Sequence, residues 1–222
     1  MQIEHCRVNH LANPLGFAME KQVFSWVVED AKGKYQKEAR ILVKVGGSIA
    51  ADTGWKNLDS VAATVELTLK PRTRYAWTVA VRTDAGEEAV SEENWFETGL
   101  DTWQAKWIGC DDSEPRHPVF TKRIEPGREV SSARLYICGL APFCNNYNDW
   151  IQYQTYDVTQ QLNAAGALSV ELGNGWYKGR FGPDRKQKPH YGDSWKLLAQ
   201  VHIAYTDGSE EIFGTDESWE VT

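Results

Sequence analysis

Residues 71–82, PRTRYAWTVAVR, admit one regular conformation, and the rest of the chain has to accommodate it. Tyr75, Trp77, Val79 and Val81 fall at every second position, with small or polar residues between them. A period of two places the four large apolar side chains on one face of an extended strand, where a helix would scatter them around its axis. Such a strand has one wet face and one face that needs another layer to bury it. The same signature recurs nearby. EARILVKV at 38–45 alternates around Ile41, Val43 and Val45, and VAATVELTL at 61–69 puts Val61, Ala63, Val65, Leu67 and Leu69 on one side. QVFSWVVE at 22–29 is a strand-length run of β-branched and aromatic residues. DAKGK at 30–34 reads as a hairpin turn that pairs this run with 38–45. After a turn at Asp84, Ala85 and Gly86, SEENWFET at 91–98 reads as a last strand.

Roughly seven short strands with turns between them in about a hundred residues describe an immunoglobulin-like sandwich. The segment LKPRTRYAWTVAVRTDAGEEAVSEENWFETG resembles the last strands of a fibronectin type III module, in which the Tyr and Trp are core residues. Tyr75 and Trp77 are therefore assigned to packing. GLDTWQA at 99–105, a Gly and a short polar turn before a new set of strands, marks the expected domain boundary. Trp103 and Trp107 beside it suggest packing in place of a Gly/Ser linker. The chain is thus read as all-β, with a fibronectin type III-like domain at 1–100 and a jelly-roll-like sandwich at 101–222. Strands are expected in the second domain at 106–110, 119–124, 133–138, 153–158, 167–172 and 217–222. A helical turn is expected at 159–162, and a hairpin at 197–213 turns on Asp207 and Gly208. The final ESWEVT reads as a strand cut short, so this domain is expected to be truncated at its C-terminal end.

Ten Trp, nine Tyr and seven Phe stand in an otherwise polar chain of 222 residues with net charge −7. Rings in such number suit a two-layer β core and also a platform for sugars. Lys and Arg are scattered singly, so neither nucleic acid nor an anionic membrane is an expected partner. Cys6, Cys110, Cys138 and Cys144 have no metal-ligand spacing and are expected as free thiols in a reducing, cytoplasmic setting. No cofactor or metal is expected.

The stretch LGNGWYKGRFG at 172–182 is the candidate site. Four glycines let the backbone turn sharply while it presents a Trp, a Tyr, a Phe and an Arg. Trp176 and Tyr177 offer faces on which a sugar ring can lie, and Asn174 and Arg180 offer hydrogen bonds to its hydroxyls. The same residues also suit a turn whose aromatics fold back into the core. The polar loop 182–193, with Arg185, Lys186 and Lys188, follows directly and would extend a binding or docking surface.

Several segments together resemble, in order, the N-terminal part of bacterial α-L-rhamnosidases of the large inverting glycoside hydrolase family. They are FSW at 24–26, WFETGL at 95–100, WQAKWIG at 103–109, YQTYDVT at 153–159, LGNGWYKGRFG, and TDESWEV at 215–221. The resemblance implies β-sandwich domains first, then an (α/α) barrel that carries a carboxylic acid and a carboxylate base with room for a water between them. No catalytic residue of that kind can be carried onto this chain. The resemblance also implies that a hairpin's worth of chain is missing after Leu140.

Other chemistry has weaker grounds. Glu92 and Glu93, like Asp111 and Asp112, are neighbours that point to opposite sides of an extended chain and do not converge on one substrate atom. Asp111, Asp112 and Glu114 lack the spacing of a known calcium loop. His202 alternates within its strand and is expected to be exposed or satisfied by a neighbour. Two readings follow. The favoured one is the non-catalytic N-terminal portion of an α-L-rhamnosidase, docking on the downstream barrel and shaping access for a rhamnoside. The alternative is a stand-alone carbohydrate-binding or adhesion module that holds a sugar on the central stretch.

Overall fold

In the computed structural model the alternating runs become strands wherever a neighbouring edge receives them. The structure describes residues 1–110, 117–140, 151–164, 166–175, 177–179 and 191–222. Two units can be separated, Met1–Asp101 and Thr102–Thr222. The first holds β1 (Gln2–Val8), β2 (Leu15–Phe17), β3 (Gln22–Glu29), β4 (Gln36–Val45), β5 (Ser48–Asp52), β6 (Ala63–Val65), β7 (Arg74–Thr83), β8 (Glu88–Val90) and β9 (Asn94–Thr98). One sheet has the order β1-β3-β6 and the other β2-β9-β7-β4-β5. β9 pairs with the first part of β7 and β8 with the last, so two short strands share one long edge. β2 joins β9 in parallel, Leu15 opposite Glu97.

Burial follows the period of two. Tyr75, Trp77, Val79 and Val81 are all buried on the inner face of β7. The Trp77 ring meets Phe24 edge-on at 4.7 Å, and Tyr75 stacks on Phe96 at 5.1 Å. Both are packing residues, as the pattern predicts. The Tyr75 hydroxyl also accepts the Lys70 N–H at 2.8 Å, the tyrosine-corner arrangement of immunoglobulin-like sandwiches. The outer face of β7 is charged. Arg82 lies over the Trp55 ring and is paired with Glu38 and Glu88, while Arg74 lies over Trp95 and is paired with Glu97.

Two expectations need correction here. The runs at 22–29 and 38–45 both form strands, but they do not pair: β3 sits between β1 and β6, and β4 between β7 and β5. The connection after β3, with Asp30 at a φ of 53°, carries the chain from one layer of the sandwich to the other. The run at 61–69 forms a strand only over Ala63–Val65, the part that meets β3. Val61 is 69% exposed, while Leu67 and Leu69 pack against the core from irregular backbone. The N–H-less Pro71 soon after offers no ladder donor that would extend the strand.

The second unit contains β10 (Ile108–Gly109), β11 (Val119–Arg123), β12 (Val130–Gly139), β13 (Gln154–Asp157), α1 (Thr159–Ala164), β14 (Ala167–Glu171), β15 (Lys196–Tyr205), β16 (Glu210–Gly214) and β17 (Glu220–Val221). A sheet of order β10-β15-β12-β13, with β16 also on β15, faces a smaller sheet of order β14-β11-β17. Phe120, Leu135, Trp195, Val201, Ile203 and Trp219 belong to the core of this unit. β12 and β13 pair directly, with Ile137 opposite Gln154. The β15–β16 hairpin forms as its turn residues predict, with Gly208 at a φ of 82°. The run at 217–222 is a strand only at Glu220–Val221, where it meets Phe120 and Thr121. Asp157 accepts the N–H and hydroxyl of Thr159 at the start of α1, and the same hydroxyl accepts the Ala133 N–H, so the one-turn helix is tied to β12. Among the described residues no helix is long and apolar enough to cross a membrane. Cys6 and Cys138 are free thiols, and Cys144 lies outside the described residues.

Candidate functional site

The central stretch leaves the small sheet at the end of β14. Leu172 anchors it: the side chain is buried in the core, and its N–H donates to the Pro118 carbonyl at 3.0 Å. A Cβ at Gly139 would stand 2.9 Å from the end of the Leu172 side chain, so the end of β12 packs directly against this anchor. Beyond Leu172 the backbone turns outward through Gly175, at a φ of 33°, and Asn174 is exposed. Tyr177 is half-buried. Trp176 and Arg180 lie outside the described residues, as do Arg185, Lys186 and Lys188 of the following loop and Asp111, Asp112 and Glu114. Two of the four candidate residues are therefore placed, one reaching solvent and one partly covered.

Tyr177 owes its cover to Gly192. The Gly192 N–H donates to the Tyr177 carbonyl at 3.2 Å, and a Cβ at 192 would overlap the Tyr177 ring. The Lys178 ammonium lies 2.9 Å from the centre of the Trp195 ring. Residues 177–178 are thus pinned to 192–195, and these contacts form a narrow neck.

Beside that neck is an open cavity of about 420 Å³, lined by Trp107, Ile108, Cys110, Ser194, Trp195 and Lys196. Trp195 is its buried wall, and Trp107 is 43% exposed. Gly109 is required at this edge, because a Cβ there would stand 2.8 Å from the Trp195 carbonyl oxygen. The sequence singled out neither Trp195 nor Lys178. The sequence suggests packing near the domain boundary for Trp107, and the pairing of β10 with β15 brings it beside Trp195.

Several carboxyl groups carry displaced pKa values, and Asp52, Glu87, Asp207 and Asp216 all move downward. Asp52 is drawn to about 2 by its hydrogen bonds from the Arg40 guanidinium and then the Gly54 N–H. Glu87 is lowered chiefly by the Gly33 N–H, Asp207 by the Ser209 hydroxyl, and Asp216 by the Ser218 hydroxyl. A general acid has to keep its proton near neutral pH, so these four are suited to holding turns and not to protonating a leaving group. Glu92 and Glu93 are exposed.

Comparison with known proteins matches both units. Residues 3–102 match the model of the Rha78A-like, N-terminal immunoglobulin domain, and residues 127–222 that of the Alpha-L-rhamnosidase N-terminal domain. An Alpha-L-rhamnosidase of Formosa agariphila is 29% identical over 272 residues, covering 96% of this chain and 28% of the relative. One of Streptomyces avermitilis is 35% identical over 115 residues, covering 42% of this chain and 11% of the relative. Among solved structures, the alpha-L-rhamnosidase from Dictyoglumus thermophilum is 27% identical with a TM-score of 0.84, and all of this chain covers 30% of that one. The native enzyme from Aspergillus terreus is 26% identical with a TM-score of 0.88, covered to 29%. The chain therefore spans less than a third of the length of each of these relatives.

Proposed function

We infer, from a chain that belongs to the α-L-rhamnosidase family and comprises N-terminal domains of that family, that its part in a rhamnoside-cleaving enzyme is non-catalytic. The observation that carries this reading is the mismatch of lengths: nearly all of this chain aligns, yet it accounts for 28% of the Formosa agariphila relative. Hydrolysis then belongs to a downstream (α/α) barrel of the same polypeptide, where an acid and a base can be held on either side of the glycosidic bond. The two β units dock on that barrel and help shape access to it.

The surface offered for this task is the central stretch, with Asn174, Trp176, Tyr177 and Arg180 meeting either the barrel or the rhamnoside itself. In support, Asn174 is exposed and the cavity with the half-exposed Trp107 lies beside the neck of the same loop. A ring face on the same cavity as an exposed ammonium, here Trp107 and Lys196, is chemistry that sugars use.

The test is hydrolysis of an aryl α-L-rhamnoside by the 222-residue chain and by the complete gene product. Turnover is expected only from the longer protein. Turnover by the 222-residue chain alone overturns the reading.

A further inference from the structure

Gln200 lies in the middle of β15 and is fully buried, on the face of the sheet opposite the core residues Ala199 and Val201. Its side-chain oxygen accepts two backbone N–H groups, from Gln104 at 2.6 Å and Ala105 at 2.9 Å. These two donors settle which end of the carboxamide is oxygen, because the reversed group would set its NH₂ against both of them in a buried place. The NH₂ end therefore faces His202 Nε2, 2.6 Å away. An NH₂ group only donates, so His202 Nε2 must present a lone pair: the ring is neutral and carries its proton on Nδ1.

The segment held in this way has further fastenings. The Lys106 N–H donates to the Thr215 carbonyl at 2.8 Å, and the Thr215 hydroxyl donates to the Lys106 carbonyl at 2.7 Å. Ala105 approaches Gly214 so closely that a Cβ there would stand 3.0 Å from it. Trp103 meets the ring of Tyr153, Tyr153 that of Tyr136, and Tyr136 that of His202. The segment is thus connected to His202 twice, through the Gln200 carboxamide and through a run of edge-on rings.

We infer that the protonation of His202 controls how firmly residues 103–106 are held on β15. Neutral His202 accepts from Gln200 and holds the carboxamide where it receives Gln104 and Ala105. A proton on Nε2 would place N–H against NH₂, so the carboxamide must turn and release one or both backbone groups. The charged neighbours agree with the sign. Arg134 on β12 is directly opposite His202 and is paired with Asp157 on β13 at 3.0 Å. On β16 the opposite residue is the apolar Ile212, with Glu210 further along the same face, and Tyr136 on β12 presents its ring. Among the described residues, the charge directly across the strand is thus a cation matched by a carboxylate. The hold is complete while His202 is neutral and is lost as the ring takes up a proton on acidification.

The experiment is nuclear magnetic resonance on the 222-residue chain. At about pH 7.5 the ¹⁵N shifts of the His202 ring should show Nδ1 protonated and Nε2 bare, and the opposite tautomer overturns the inference. Amide exchange, corrected for its intrinsic pH dependence, should show the protection of Gln104 and Ala105 falling at least about tenfold between about pH 7.5 and pH 5, while the β12–β15 ladder amides hold. His202→Gln, which accepts through a carboxamide oxygen at every pH, should keep that protection at both values. Unchanged protection in the parent chain, or an equal loss in His202→Gln, refutes it. The tautomer reading decides the matter alone if the variant does not fold.

Discussion

Two substitutions at Trp77 should separate packing from the cost of a buried polar atom. The Trp77 side chain is 2% exposed, its ring meets Phe24 edge-on at 4.7 Å, and its Nε1 is buried with no hydrogen-bond partner among the described residues. Trp77→Ala removes the ring and leaves a cavity, a change that costs about 3–5 kcal/mol. Trp77→Phe behaves differently. It keeps a ring against Phe24, a contact worth about 0.5–1.5 kcal/mol, and loses only the apolar area of the indole's second ring, roughly 2 kcal/mol. It also deletes an N–H whose burial without a partner costs about 1–3 kcal/mol in the native protein. The two changes offset each other, so Trp77→Phe should lie within about 1 kcal/mol of the parent. Urea-dependent hydrogen exchange of the β4 and β7 amides measures this for the first unit without interference from the second. If Trp77→Phe costs as much as Trp77→Ala, the orphaned N–H is satisfied in solution and the argument fails.

Gly192→Ala should force the Tyr177 ring off its seat, and overpacking of this kind costs about 1–3 kcal/mol; a melting temperature equal to the parent's would show that the neck is not rigid. Asp52 should titrate at about 2 and move up towards its ordinary value of 3.8 in Arg40→Met, as followed by its carboxyl chemical shift. Because this folded pKa is lowered, the stabilisation is present above pH 4 or so and is lost as pH falls towards 2. Burial pushes the Cys138 thiol up to about 11, so under native conditions it should react with a thiol reagent far more slowly than in the denatured chain; equal rates would contradict its burial.

The strands were legible where side chains alternate between bulky and small. β3 occupies 22–29 as its composition predicts, and β7 follows its Tyr-Trp-Val-Val face. Pairing was not legible in the same way. Alternation tells which face is buried and says nothing of which edge lies alongside, so β3 and β4 looked like a hairpin although each belongs to a different layer. β1 went unseen because a bulge between Glu4 and Arg7, with His5 at a φ of 52°, breaks the period that would have revealed it. β5 is a short edge strand of mostly small and polar residues, and it needed the adjacent β4 to take shape. The candidate stretch was recognisable from its glycines and aromatics. Its neck was not, since the need for glycine at 192 comes from the Tyr177 ring, and no local spacing announces a contact of that kind.

The parallel pairing of β2 with β9 bears on how this protein is made. Leu15 and Phe17 find their partners at Glu97 and Thr98, and the Trp95 N–H donates to Asn13. A growing chain cannot form these contacts until residues 94–98 have cleared the ribosome exit, so β2 waits, unpaired on that side, for most of the first unit's synthesis. The strand it waits for is also the last of that unit. Completion of the first sandwich and the emergence of the second therefore fall close together in time, and translation slowed once residues 94–98 have left the exit would give the first unit its chance to close before new sticky edges appear.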